Sequence, residues 1–238
     1  MVYKWLINNL SYLSDSHCQL CDQRYLPVQS QFVCNACLHD LPRFFHACRQ
    51  CGIEVVNDQQ STSLCGQCST APPSYDRVIA LFAYAEPIRH LVARFKYERQ
   101  LAIGSLFAEL LSTTLQARQS KVDAILPVPL HPARLRQRGF NQALELARPV
   151  ARALGLPLLT REVRRCKNTL EQASLSGKQR RANLRQAFVL NRPIDYRSVA
   201  VVDDVMTTGS TVEELSHLLK QNGVEYVEIW SVARAGQS

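Results

Sequence analysis

The stretch that most constrains this chain runs Val199-Ala-Val-Val-Asp-Asp-Val-Met-Thr-Thr-Gly-Ser-Thr-Val212. Four apolar residues, Val199 to Val202, lead into two adjacent acids, Asp203 and Asp204. A short Thr/Gly/Ser run follows, and then Val212, Leu215 and Leu219 fall at i, i+3 and i+7. The pattern predicts a buried strand, a loop and a helix. A strand that is apolar at consecutive positions is covered on both faces, as in a parallel sheet. Such sheets bind ligands at the carboxyl ends of their strands, where Asp203 to Thr211 would sit. The run Met206, Thr207, Thr208, Gly209, Ser210 and Thr211 offers successive backbone N–H groups, four hydroxyls and a helix N-terminus, which are the parts of a phosphate cradle. Asp203 and Asp204 cannot hold phosphate, but they suit vicinal hydroxyls and the waters of a hard cation such as Mg²⁺. A phosphorylated sugar satisfies both requirements. The plainer alternative is a strand-to-helix turn with a capping box at Ser210-x-x-Glu213. It accounts for neither the paired acids nor the run of hydroxyls.

The same stretch resembles the phosphoribosyl-diphosphate (PRPP) motif of type I phosphoribosyltransferases: hydrophobic strand, two acids, two further residues, then Thr-Thr-Gly-Ser-Thr. Nearby composition adds to it. The chain carries a net charge of +8, and residues 134–192 hold fourteen basic and three acidic side chains. A segment so basic is either a solvated face or an attractor of polyanions, nucleic acid or pyrophosphate. Within it, Arg134, Arg136 and Arg138 precede Gly139, Asn141 and Gln142, on a loop expected at the ligand face. Arginine forks bind phosphate oxygens bidentately. A second polar run, Arg165, Lys167, Gln172, Arg180 and Asn183, is flanked by Ser174, Ser176 and Gly177 and reads as a loop.

Eight of the nine cysteines form four Cys-x-x-Cys pairs: Cys18/Cys21, Cys34/Cys37, Cys48/Cys51 and Cys65/Cys68. Two thiolates at this spacing reach one tetrahedral ion, and a second pair completes its shell. The simplest arrangement is two consecutive Cys₄ zinc ribbons, although the spacing alone also allows an interleaved one. Both sites would be closed, so the two zinc ions would be structural. Gly52 and Gly66 are candidates for positive φ in the knuckles. Disulfides are disfavoured because no export signal is evident in Met1–Leu13. Val2, Leu6, Leu10 and Leu13 could line a short helix packed on the protein, with membrane-surface attachment as a minority reading. No run approaches the roughly 18 uncharged apolar residues of a membrane span.

Residues 1–70 are therefore expected to form an N-terminal helix and double zinc ribbon. A stiff linker, Ala71-Pro-Pro-Ser74, leads into a domain over residues 75–238. There, strands at Val78–Tyr84, Val122–Val128, Val199–Val202 and Val224–Val232 alternate with helices: one opening at Pro87, one around Ile103–Leu111, one over Leu144–Leu154 and one over Val212–Leu219. Arg180–Gln186 is a further helical candidate. The alternation implies an α/β fold with a parallel, doubly wound sheet.

Taken together, the four cysteine pairs, Phe95-Lys96-Tyr97, Arg138-Gly-Phe-Asn-Gln142, the Arg/Lys/Thr/Gln/Leu/Arg/Asn run, the PRPP motif and Val232-Ala-Arg234 resemble the ComF/GntX family. The resemblance covers nearly the whole chain. It implies a double zinc ribbon joined to a type I phosphoribosyltransferase-like domain, acting in natural transformation on incoming single-stranded DNA at the cytoplasmic side of the inner membrane, beside the membrane DNA-uptake machinery. On this expectation Asp203 and Asp204 hold ribose and Mg²⁺ and Met206–Thr211 hold the phosphate of PRPP. Arg138, the other basic residues and Asn141, Gln142, Gln172 and Asn183 face pyrophosphate or nucleic acid. The alternatives are an active Mg²⁺-dependent phosphoribosyltransferase of unknown acceptor and a PRPP-sensing regulator.

Overall fold

The computed structural model describes residues 16–25, 32–44, 46–55, 64–167 and 186–236. The expected N-terminal helix and the Arg180–Gln186 candidate, but for Gln186 itself, lie outside them. The cysteine-rich part has few regular elements: β1 (Ser16–His17) pairs antiparallel with β2 (Arg24–Tyr25), and short helices α1 (Asn35–His39) and α2 (Gly66–Thr70) each begin one residue after a cysteine.

The remainder builds the expected parallel sheet. Its strands are β3 (Arg77–Ala83), β4 (Ala124–Pro127), β7 (Ser198–Met206) and β8 (Tyr226–Arg234), in the order β3-β8-β7-β4. All neighbours run parallel. Leu158 extends the sheet by a single parallel bridge to Ile125. Between β3 and β4 lie α3 (Ile88–Tyr97) and α4 (Leu101–Ala117); between β4 and β7 lie α5 (Pro132–Arg138), α6 (Gln142–Leu154) and an antiparallel pair, β5 (Val163–Arg165) and β6 (Phe188–Leu190). Helix α7 (Ser210–Gln221) joins β7 to β8.

Each face of the sheet buries its own apolar layer. One contains Phe82, Phe95, Phe107, Leu146, Val202 and Trp230, under α3, α4 and α6. The other contains Val199, Val201, Ile229, Leu215, Leu219 and Phe188, under α7 and the β5–β6 pair. The cysteine modules share these layers. Cys18, Val33, Leu38 and Leu41 belong to the first, and Cys48, Cys51 and Cys68 join the second with Tyr75 and Val78.

Two differences from the sequence reading have physical causes. The segment 132–138, expected as loop, is helical. Pro132 occupies the first turn, where its missing N–H is harmless, and His131 caps it through Nδ1, which accepts from the Ala133 N–H at 3.2 Å. Gly139, at φ +85°, ends it in a left-handed turn. Strand β7 runs beyond Val202 to Met206, because β8 stays in register with it as far as the pair Met206–Arg234. Both acids therefore lie within a strand, not in the loop after it.

Candidate phosphoribosyl site and cysteine modules

Successive residues of a strand face opposite sides of the sheet. Asp203 and Asp204 are adjacent in sequence but separated by this alternation. Asp204 is buried; its Oδ2 lies 2.9 Å from Lys96 Nζ, and its Oδ1 accepts the Val205 N–H at 2.7 Å. Lys96 closes the last turn of α3. Asp203 is half-buried, and its Oδ1 accepts the Asp204 N–H at 2.9 Å. Burial, with the neighbouring Asp204 charge adding to it, pushes the Asp203 carboxyl up to about 7, while Lys96 and Arg165 pull the other way. The pair thus consists of one carboxylate neutralised by a protein cation and one close to its titration point.

The sign of the shift makes a prediction for the ligand-free protein. A raised carboxyl in the folded state contributes stability that is complete below the unfolded value near 4 and lost as pH rises through about 7. Asp203→Asn, which cannot ionise, is expected to raise the melting temperature at pH 8.5 and leave it nearly unchanged at pH 5. Equal shifts at both pH values would contradict this assignment.

The loop after β7 turns at Gly209, φ +76°. A Cβ there would stand 2.8 Å from Met206 Cε, a flexible side-chain end that can yield, so it is the backbone angle that favours glycine. Thr207 and Thr208 are exposed, and the Thr208 and Ser210 hydroxyls are 2.8 Å apart. No capping box forms: Gly209 is the N-cap of α7 and no side chain caps it. Glu213 instead accepts the Ser74 N–H at 2.9 Å and the Ser74 hydroxyl at 2.7 Å. The start of α7 thus keeps its macrodipole and its loop hydroxyls at the ligand face, with an acid of its first turn tied to the segment before β3.

Arg234, at the end of β8, ties the loop down. Its buried guanidinium donates from Nε to the Cys51 carbonyl (3.0 Å) and from Nη1 to the carbonyls of Met206 (3.2 Å), Ala235 (2.8 Å) and Thr207. One side chain therefore bridges the second cysteine module and the loop at Met206–Thr207.

The sequence-derived basic residues divide. Arg136 is exposed and Arg134 half-buried on α5. Arg138 packs its guanidinium 5.5 Å from the ring centre of the exposed Tyr97 and donates to Gln142 Oε1 at 2.9 Å. Asn141 and Gln142 have structural positions. Asn141 caps α6 by accepting the Ala143 N–H (3.1 Å) and donates to the Val128 carbonyl (3.1 Å), while Gln142 is buried. Arg165 stacks over Phe188 at 5.5 Å, and Lys167 is exposed. Gln172, Arg180 and Asn183 lie outside the described residues. In the sequence Lys96 and Arg234 stand only within the motifs Phe95-Lys96-Tyr97 and Val232-Ala-Arg234, with no role assigned to either. Their signal is positional: a cation at the end of an otherwise apolar helix face, and one ending an otherwise apolar strand.

The eight paired cysteines gather into two tetrads in chain order, Cys18/Cys21/Cys34/Cys37 and Cys48/Cys51/Cys65/Cys68, with the sulfurs of each within 4.8 Å of one another. This favours the consecutive arrangement over the interleaved one. Backbone N–H groups point at the sulfurs: Leu20 and Cys34 each reach Cys18 Sγ at 3.4 Å, and Cys65 reaches Cys48 Sγ at 3.3 Å. Burial raises the Cys18 thiol, but these donors outweigh it and bring it down to about 6; in the same way Cys48 comes down to about 7. Burial raises Cys37 and Cys68, which a bound dication would offset. Four converging sulfurs with N–H donors behind them fit a closed zinc site. Gly52 has φ +69° and lies against Val78. The expectation for Gly66 fails, because it opens α2 with a negative φ, a position any residue can take.

The parallel sheet, the acid pair on its central strand and the hydroxyl-rich turn into α7 define a type I phosphoribosyltransferase-like protein with a cysteine-rich module. Residues 140–238 match the phosphoribosyl transferase domain family. The chain is 39% identical over 218 residues to competence protein F of Haemophilus influenzae, covering 88% of this chain and 93% of that one. It is 34% identical over 222 residues to the DNA utilization protein YhgH of Salmonella typhimurium, covering 91% and 96%. Competence protein ComFC of Streptococcus pneumoniae is 27% identical over 158 residues, covering 65% and 67%. The chain belongs to the ComF family. Among the described residues no helix is long and apolar enough to cross a membrane.

Proposed function

We propose that this protein is a DNA-uptake factor that binds single-stranded DNA and a phosphoribosyl ligand such as PRPP with Mg²⁺. The observation that carries the reading is the turn from β7 into α7. It combines a half-buried carboxylate at Asp203 that no protein cation pairs with directly among the described residues, exposed Thr207 and Thr208, and a glycine N-cap at Gly209, with the Thr208 hydroxyl accepting the Ser210 N–H at 3.4 Å. A ribose hydroxyl or a hydrated Mg²⁺ suits Asp203, and the 5′-phosphate suits the turn. Asp204, held by Lys96, fixes the strand end and offers its remaining lone pairs. The names of the relatives, competence protein F and DNA utilization protein YhgH, support the DNA half. The protein would work in the cytoplasm, peripheral to the inner membrane and its uptake machinery.

Turnover is the second reading, favoured by the arginines around the site, which suit a leaving pyrophosphate. Calorimetric titration with PRPP and Mg²⁺, followed by an assay for released pyrophosphate over a panel of bases, separates the two. Saturable binding without pyrophosphate release supports a binding protein, and release with any base supports an enzyme. No heat at millimolar PRPP would overturn both.

A further inference from the structure

A cleft of about 720 Å³ lies between the α5–α6 corner and the β5–β6 pair. Its apolar side includes Leu135, Phe140 and Leu144, and Leu135 is 42% exposed there. Phe140 is held from behind by Phe95, ring centres 5.6 Å apart. Five arginines also line it: Arg148, Arg161, Arg164, Arg165 and Arg192. Among the described residues the sole acid in the lining is Glu145, whose Oε1 is already 3.1 Å from Arg148 Nη1. Arg165 also acts on the Asp203 carboxyl, opposing the burial that raises it.

We infer that this cleft is where single-stranded nucleic acid binds, with its phosphates on the arginines and its bases on the apolar side. Charge complementarity selects a polyanion, because five arginines stand against one acid among the described lining residues. The apolar side selects a polyanion with exposed planar faces. A duplex stacks its bases inward and offers only phosphate, so it would leave Leu135 and Phe140 unused; a single strand uses both. The inference rests on the DNA half of the proposed function and deepens it by giving that function a place, lined by residues other than those of the phosphoribosyl turn.

The test uses the full chain and a fluorescent oligothymidylate, with affinity followed against salt. Single-strand binding loses about 0.7 in log K per unit log salt for each phosphate neutralised. Arg161→Ala with Arg164→Ala removes two exposed cations from the rim, and is expected to weaken binding at least tenfold at low salt and shallow the slope by about 1.4. The control with the same charge change, Arg152→Ala with Arg197→Ala, lies away from the cleft and should keep the parent slope. Leu135→Ser should weaken binding with the slope unchanged. PRPP affinity measured on the same samples checks that the cleft variant is folded. If the parent binds DNA and the cleft pair binds with parent affinity and slope, the cleft assignment is wrong while the DNA reading stands. If the parent binds no oligonucleotide at low salt, both fall. Polyglutamate that competes as well as the oligonucleotide, with Leu135→Ser neutral, would assign the cleft to an acidic protein instead.

Discussion

Asp204→Ala is expected to unfold the protein more readily by about 3–5 kcal/mol, whereas Asp203→Asn is expected to abolish PRPP binding in a protein at least as stable as the parent. The first estimate follows from the burial of both partners of the Lys96–Asp204 pair, at 15% and 9% side-chain exposure. Removing one charge leaves the other uncompensated in a poor dielectric. The second follows from Asp203 being the less buried of the two acids and the one whose ionisation opposes folding. Double substitution by Lys96→Met and Asp204→Leu should recover much of the lost stability, because matched apolar residues remove both desolvation costs. Chemical denaturation of the three variants, with PRPP titration of each, separates the roles. Asp203→Asn with parent PRPP affinity would place the ligand elsewhere. A mild effect of Asp204→Ala on stability would show that the pair is not holding α3 to the sheet.

The second large effect concerns zinc. Elemental analysis should find two ions per chain, and none or one would refute the tetrads as paired sites. Cys48→Ser is expected to cost the second module its ion and with it the folding energy that a structural zinc contributes. The loss should spread in a definite direction. The Cys51 carbonyl anchors Arg234, and Arg234 anchors the Met206 and Thr207 carbonyls of the phosphoribosyl turn. Tyr75, from the same apolar layer as Cys48, sits against Gly209. PRPP affinity should therefore fall at least tenfold when the second tetrad is disrupted. Cys18→Ser, in the first tetrad, has no such link among the described residues and should spare it. Amide exchange at residues 206–211 would rise in the first case and stay low in the second. Identical PRPP affinities for the two variants would show that the Arg234 bridge does not transmit the change.

The architecture was readable where the chain alternates sharply between apolar strands and amphipathic helices. The runs Val199–Val202 and Val212, Leu215 and Leu219 define β7 and α7, and the Cys-x-x-Cys spacing defines the tetrads. The site was readable as a set of residue types but not as a geometry. Sequence adjacency made Asp203 and Asp204 look like one paired grip. Strand periodicity separates them, and where the strand ends depends on how far β8 stays in register, a tertiary fact. Lys96 is 108 residues from Asp204 in sequence, and no local pattern joins them. Asn141 and Gln142 looked like ligand groups because amides near arginines often are. Capping and burial, which depend on where α6 begins, take up the first amide and enclose the second.

The strand β8 lies between β3 and β7 but follows every other described strand in the order of synthesis. A nascent polypeptide therefore carries β3 without a neighbour in the described sheet until β8 is made, and the contact that opens their union, Val227 N–H to Asp76 Oδ2, spans 151 residues. Contacts that distant close slowly and leave sticky edges in the interval. Because Arg234 travels with that strand, the turn at Met206 and Thr207 gains its anchor only once β8 has been made. Growing chains should therefore lean on chaperones until β8 has been made and paired.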